Sequence, residues 1–586
     1  MQINKKSMEN STQKNIEAWL NGNYDAESKA TIRQWMENDK AALEDAFYCD
    51  LEFGTGGLRG IMGVGTNRMN KYTVAMATQG LANYLKEQFP SQQIKVALAY
   101  DSRNNSRYFS EVAAEVMSAN GIYTYLFDDI RPTPELSFAI RHLGCQSGIV
   151  VTASHNPKEY NGYKAYWDDG GQLVPPHDKN VIEHVRKIKS IDDVKFSRND
   201  QFIQLIGKEM DEIYIERLKT LSMHPELIEK HNQLPIVYSP LHGTGRNLVP
   251  MALEAFGFKN VQVVAKQSIA DGNFPTVVSP NPEESEALSL AIEQAKQTGA
   301  DLVIATDPDA DRVGIAIKNN QGEFILPNGN MTASLIVYYM LQQWKQSGKI
   351  NGKQFIIKTV VTTELLKDIA LRYGVECFDV LTGFKYIAEK IKELEGEKEF
   401  ICGGEESYGY TIGDFARDKD AVVSACIIAE ISAWAKEQGK SLYDILTDIY
   451  LEFGCYRESL HSMTKKGING VAEIKQMMEN YRTHPPKTIN GKKIIRIKDY
   501  KTLQDKNVIA GETEKILLPV SDVLQFFLED HSKITMRPSG TEPKIKFYFS
   551  VKADLKDKNS LAETISTLDA KQKDIINDVL SFSGSC

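Results

Sequence analysis

From about residue 51 to about residue 460, short apolar β-branched runs alternate with longer runs of helical periodicity, and this alternation restricts the fold more than any other feature. Ile94 to Tyr100 reads as a buried strand. The helix after it carries Phe109, Val112, Ala113, Val116 and Met117 on one face and ends near Asn120-Gly121, before a strand from Ile122 to Phe127. Strands apolar on both faces need helices as cover, so the pattern predicts mostly parallel sheets of the βαβ kind. It recurs in the strand Leu234 to Tyr238, the helix Asn247 to Phe256 and the strand Val261 to Val264. It recurs again in a helix from Ser285 to Thr298 before the strand Asp301 to Ala305, and in a third unit from Gln354 through Glu364 to Tyr373. The last stretch differs, with strands near 493–497, 514–518 and 545–551 and a helix expected near Ser521 to Asp530. The first fifty residues space Ile16, Trp19 and Leu20, then Ile32, Trp35 and Met36, as helices do. The expectation is therefore an α/β protein. A helical lead-in over 1–50 packs on domain 1 (51–210), domain 2 (211–325) and domain 3 (326–460) follow, and a smaller α+β domain 4 spans 461–586.

A chain of 586 residues is too long for one core. At 42% apolar and 25% charged it has the composition of a soluble globular protein, and a net charge of −9 argues against a nucleic-acid partner. The basic run Lys492 to Lys498 reads as a strand with a solvated face. Seven scattered cysteines without a C-x-x-C pair fit a reducing cytosol and give neither a disulfide framework nor a zinc site. The N-terminus lacks an apolar signal core, and no stretch approaches the ~18 apolar residues of a membrane span, so no membrane partner and a cytoplasmic location are expected.

Four loops carry the chemistry. In Gly148 to Lys164 a buried strand breaks into Ala153-Ser154-His155-Asn156-Pro157. Asn-Pro starts turns, which accounts for the shape, while Ser154 offers a hydroxyl nucleophile. In Asp307-Pro308-Asp309-Ala310-Asp311-Arg312, carboxylates at i, i+2 and i+4 repel one another unless a cation neutralises them, and their oxygens suit Mg²⁺ or Ca²⁺. An EF-hand fails, because Arg312 and Lys318 stand where glycine and glutamate are needed. A haloacid-dehalogenase-type aspartate nucleophile leaves the third acid without a role, and an exposed acidic turn is at odds with the apolar strand before it. Gly403 to Tyr410 places Glu405 and Ser407 among glycines, a grip for sugar hydroxyls or equally an ordinary acidic turn. Met536 to Pro543 joins Arg537, Ser539 and Thr541 around Gly540, a natural cradle for phosphate or a capped hairpin loop. Together the loops supply a nucleophile, a metal site, a polyol grip and a phosphate grip, which describes phosphoryl transfer on a phosphosugar.

These loops, in this order and with Gly54-Thr55-Gly56-Gly57-Leu58-Arg59-Gly60 before them, resemble the α-D-phosphohexomutase superfamily, which includes phosphoglucomutases and phosphomannomutases. The resemblance implies four domains in a heart shape around a central cleft, with Ser154 held as phosphoserine. Ser154, Asp307, Asp309 and Asp311 would surround Mg²⁺; Lys164, Arg59 and His155 would serve acid–base and charge-stabilising roles. Lys164 would exchange a proton near neutral pH, its pKa depressed by neighbouring cations. Arg312, Thr382, Gly383, Lys385, Glu405 and Ser407 would hold the sugar, and Arg537, Ser539, Gly540 and Thr541 its non-reacting phosphate. Tyr408-Gly409 after Ser407, the chain length and the helical lead-in resemble the long phosphoglucomutase and phosphopentomutase branch. The implied reaction interconverts glucose 1-phosphate and glucose 6-phosphate through glucose 1,6-bisphosphate, which is both activator and intermediate. Mutases of pentose or mannose phosphates are the alternatives within the superfamily. An aspartate-nucleophile phosphatase and a non-enzymatic phosphosugar sensor are the readings from other classes. The expected assembly is a monomer or weak homodimer.

Overall fold

The structure is a computed structural model that describes residues 5–54, 57–465, 470–539 and 543–584. Its chain divides into two compact units, one formed by residues 1–329 and 384–438, the other by 330–383 and 439–586.

The first unit begins with the helices Lys5–Asn21, Ala26–Asn38 and Lys40–Phe47. Asp25 and Asp39 cap the second and third by accepting backbone N–H bonds from Ser28 and Ala42. Ile16, Trp19, Ile32, Leu43 and Phe47 are buried in one hydrophobic cluster with residues of the first sheet. That sheet runs in the order Leu58–Ile61, Tyr160–Trp167, Ser147–Val151, Lys95–Tyr100, Tyr123–Phe127, Ile203–Ile206. Its centre is parallel, but Tyr160–Trp167 returns antiparallel to Ser147–Val151. The second sheet repeats the plan: Ile236–Ser239 lies parallel to Val261–Val263 and Leu302–Thr306, and Val313–Lys318 returns antiparallel to Leu302–Thr306. A third hairpin pairs Glu399–Glu405 with Gly409–Ile412. The sheets are thus mixed, and each of the first three chemical loops sits at the turn of an antiparallel hairpin.

In the second unit the strands Gln354–Thr359 and Glu376–Val380 pair in parallel, with the helix Leu365–Tyr373 between them in sequence. The C-terminal region is an antiparallel sheet backed by the helices Gly470–Thr483 and Leu561–Gly584. In the strand Lys544–Ala553, Ile545, Phe547, Phe549 and Val551 are all buried, as period-2 placement on one face requires. The helix expected near Ser521 to Asp530 is instead the strand Leu524–Leu528, paired with Lys533–Pro538 and Lys492–Asp499. A short apolar run has no helical period of its own, and the turn at Asp530-His531 folds it back as a hairpin. The strand expected near 514–518 is Glu512–Lys515, and Leu517 beyond it is exposed. Among the described residues no helix is long and apolar enough to cross a membrane.

Candidate active site

The strand Ser147–Val151 delivers Ser154 into a turn in which its backbone takes a left-handed φ of 51°. Few non-glycine residues adopt that conformation unless their surroundings impose it. Thr152 Oγ1 accepts the Ser154 N–H at 2.8 Å, and the buried Ser154 hydroxyl donates to Asp307 Oδ2 at 2.7 Å. His155 Nδ1 lies 3.2 Å from the same hydroxyl oxygen. Burial, together with the charges of Arg312 and Arg59, pushes the His155 imidazole down to about 2, so it stays neutral.

Asp307, Asp309 and Asp311 follow the buried strand Leu302–Thr306 and are themselves buried. The turn between them is fixed by three helix N-termini. The carbonyls of Pro308, Asp309 and Ala310 accept N–H bonds from Thr244, Thr133 and Ala421, which open the helices Gly245–Phe256, Thr133–His142 and Ala421–Glu437. Each helix satisfies one of its orphan donors in this way and turns its positive dipole end toward the acids. Asp307 Oδ1 accepts the N–H groups of Asp311 and Arg312, and Asp309 Oδ2 accepts the Thr133 hydroxyl at 3.0 Å.

Lys164 comes from the return strand Tyr160–Trp167, with Nζ 2.8 Å from Asp309 Oδ2 and 3.4 Å from Asp311 Oδ2. Lys419 reaches Asp311 Oδ2 at 3.1 Å and Asp418 at 3.3 Å. Burial opposes ionisation of Asp309, yet Lys164 holds its carboxyl well below the usual carboxylate range. Burial and the neighbouring Asp309 and Asp311 push Asp307 well up. For Lys164 burial favours the neutral amine, but Asp309 and Asp311 override it and raise the pKa. The expected depression of Lys164 by neighbouring cations is therefore reversed here: Asp309 and Asp311, both in contact with it, outweigh Lys419.

The acid cluster fits a divalent cation. One oxygen from each of the three aspartates falls within a 4.8 Å span, all donors are hard oxygens, and Asp309 Oδ1 and Asp311 Oδ1 are buried without a hydrogen-bond partner.

Around this centre, Arg59 lies on the edge strand Leu58–Ile61 and donates to Asn156 Oδ1 at 3.3 Å. Arg312 is tied to Glu283 at 2.7 Å. The hairpin bearing Glu405 and Ser407 docks on the metal loop through the Val313 N–H bond to the Tyr408 carbonyl, 3.0 Å long. The Glu405 carboxylate is among the charges that keep Lys419 protonated. Lys385, opening the helix Phe384–Glu393, faces Asp178 at 3.7 Å. The first unit thus brings together Ser154, His155, Arg59, Lys164, the three aspartates, Arg312 and Glu405. Thr382, Gly383, Arg537 and Ser539 belong to the second unit. There the Thr382 hydroxyl is buried without a hydrogen-bond partner, and the Ser539 N–H bonds the Lys544 carbonyl next to Arg537. Gly540 and Thr541 lie outside the described residues. Thr133, Lys419 and Asp418 were not singled out from sequence; the only signal for Lys419 was its place in the charged run Arg417-Asp418-Lys419-Asp420.

A buried hydroxyl against a three-acid cluster that fits a divalent cation, on repeated α/β sheets, is a site suited to phosphoryl transfer. The chain belongs to the phosphoglucomutase/phosphomannomutase family, whose α/β/α domains I, II and III match residues 50–192, 212–322 and 328–453. It is 37% identical to a phosphoglucomutase of Staphylococcus haemolyticus over 87% of this chain and 92% of that one. It is 36% identical to a phosphoglucomutase of Staphylococcus aureus over 94% and 98%. In fold it is similar to the Paramecium phosphoglucomutase parafusin in its open form (TM-score 0.68, 17% identity, 92% of this chain and 96% of that one). It is also similar to a phosphoglucomutase/phosphomannomutase family protein of Burkholderia thailandensis (TM-score 0.63, 19% identity, 90% and 96%).

Proposed function

We propose that this enzyme interconverts glucose 1-phosphate and glucose 6-phosphate, with Ser154 as the phosphate carrier. The observation that carries the reading is the buried Ser154 hydroxyl placed 2.7 Å from Asp307 within the three-acid cluster. Similarity to staphylococcal phosphoglucomutases, matched along almost their whole length, supports reading the substrate as a glucose phosphate and not a mannose or pentose phosphate. In the first half-reaction the bond between phosphorus and Ser154 Oγ breaks, a bond from phosphorus to the sugar O6 forms, and the O6 proton ends on Oγ. In the second half-reaction the phosphate at C1 of the bisphosphate passes to Ser154, and the proton moves to O1. Ser154 and the three aspartates would hold Mg²⁺, which when bound neutralises charge on the phosphoryl group. Lys164, held charged, stabilises that charge from the hairpin side, and His155, held neutral 3.2 Å from Oγ, orients the carrier hydroxyl. Arg59 would offset charge beside the carrier, Arg312, Glu405, Ser407, Thr382, Gly383 and Lys385 would hold the sugar, and the Arg537 to Thr541 loop would take the non-reacting phosphate. The domain limits follow the same reading, near 210, 325 and 460, in a cytoplasmic protein that is a monomer or weak homodimer.

The test is Ser154→Ala assayed on glucose 1-phosphate with glucose 1,6-bisphosphate and Mg²⁺ present, beside mannose, glucosamine and ribose 1-phosphates. Turnover is expected to vanish in the variant and to be fastest on glucose in the wild type. Near-wild-type turnover in Ser154→Ala, or net phosphate release in place of isomerisation, would refute it.

A further inference from the structure

Arg103, in the turn after the strand Lys95–Tyr100, is wholly buried and gathers the backbone of the Ser154 loop. Its Nη1 donates to the carbonyls of Pro157 at 2.9 Å and Tyr160 at 3.1 Å, and its Nη2 donates to those of Ser154 and Asn156. Nε faces Asp101 Oδ2 at 3.4 Å, while Asp101 Oδ1 accepts the Arg103 N–H and the Ser106 hydroxyl. The Phe274 ring lies 5.1 Å from the guanidinium carbon. Phe274 itself has a left-handed φ of 48° and follows Gly272, where an added Cβ would stand 2.3 Å from the Asn104 nitrogen. The guanidinium is therefore fixed by a carboxylate beside it and an aromatic ring against it, and it grips both limbs of the turn that carries Ser154.

That grip answers a question of conformation. Ser154 is held at a φ that costs on the order of 1–3 kcal/mol for a side-chain-bearing residue, so something must over-determine it. One planar fork bonding four carbonyls does so. An ammonium has only three donors and no fixed plane, so it cannot reproduce the set.

We propose that Arg103 is a positioning residue for phosphoryl transfer: it clamps the 154–160 turn in the conformation that sets Ser154 Oγ on the acid cluster. It touches none of the reacting atoms and acts through the carbonyls. The inference rests on the reading of Ser154 as the phosphate carrier.

The full-length Arg103→Lys and Arg103→Ala variants test it by glucose 1-phosphate turnover and by amide hydrogen exchange. A carrier displaced by about 1 Å loses on the order of 10²-fold in rate, so kcat should fall by roughly that factor while KM moves less than about threefold. Exchange across 153–160 should quicken by at least about tenfold, while Lys95–Tyr100 and Ser147–Val151 keep wild-type rates. Millimolar guanidinium should restore part of the turnover of Arg103→Ala and none of that of Arg103→Lys. Wild-type exchange across 153–160 in Arg103→Lys would overturn the proposal. So would faster exchange spread through the whole first sheet, which marks packing and not positioning. If Arg103→Ala does not fold, Arg103→Lys decides alone. If the wild type interconverts no glucose phosphates, the proposed activity fails, and the exchange comparison still decides the clamp.

Discussion

Removing the Lys164 ammonium, as in Lys164→Met, is the sharpest probe of the acid cluster. Nζ lies 2.8 Å from Asp309 Oδ2 and 3.4 Å from Asp311 Oδ2. At an effective dielectric of about 20, charges at those separations attract with roughly 6 and 5 kcal/mol gross. Desolvation of the buried ions offsets much of this, and Asp311 keeps Lys419 at 3.1 Å. What remains is the cost of leaving a buried carboxylate uncompensated, about 3–5 kcal/mol. At about 2 °C per kcal/mol for a large domain, the corresponding transition should drop by roughly 6–10 °C in calorimetry with EDTA present. Millimolar Mg²⁺ should recover more of that loss in the variant than it adds to the wild type, because it replaces the missing positive charge. Lys392→Met is the control: it removes a half-exposed ammonium paired with Asp168 and Asp169, and should cost no more than about 1 kcal/mol. A Lys164→Met protein within about 1 kcal/mol of wild type in EDTA, or with no larger response to Mg²⁺, would refute the electrostatic argument.

In Gly243→Ala the new Cβ would stand 2.4 Å from Pro308 Cα and 2.6 Å from its carbonyl oxygen, so the acid loop must shift. A loss of about 1–3 kcal/mol and weaker Mg²⁺ activation are expected, read by urea unfolding and a metal titration. Asp420 is pushed up from 3.8 to about 6 by burial, against the lowering bonds from Tyr214 and Val423. Between those values the unfolded chain has lost a proton that the folded chain keeps, so stability falls as pH rises through that window and levels off above it. Asp420→Asn should flatten this slope by about 2–3 kcal/mol in urea midpoints measured across the same window. Trp19→Ala removes a ring stacked on Tyr24 at 4.2 Å and set edge-on to Phe47 and Tyr72, and should cost about 3–5 kcal/mol by urea unfolding if the lead-in helices belong to the first core.

The sequence made the strands legible where apolar β-branched runs were bounded by turn formers, as in Ile149 to Thr152 and Leu302 to Ala305. It failed at Leu524–Leu528, where pairing with the hairpin partner Lys533–Pro538 and with the more distant Lys492–Asp499 selects extended over helical backbone. At the site, Ser154 and the three aspartates were legible because their residue types are costly in a buried turn unless they have work to do. Thr133 and Lys419 were not, because what makes them significant is a carboxylate far off in the chain; Thr133 and Asp309 are 176 positions apart. Arg103 reads locally as part of an ordinary Asp-Ser-Arg turn, and its four carbonyl partners appear only once the strands are in register. The protonation of Lys164 was misjudged for the same reason: residue type fixes the ordinary pKa, and the nearest charges fix the departure.

The hairpin formed by Ser147–Val151 and Tyr160–Trp167 sets Val150 opposite Lys164 and Val151 opposite Tyr163. Along a strand, neighbouring side chains point to opposite faces, so sliding the return strand by one position would carry Lys164 away from the acids and Tyr163 toward them. The connection between carrier and cation is therefore a ruler as well as a loop. Point substitutions at its exposed residues Pro157, Lys158 and Glu159 leave that measure intact. A single-residue insertion there that is absorbed as a register shift would silence the enzyme without removing any functional side chain.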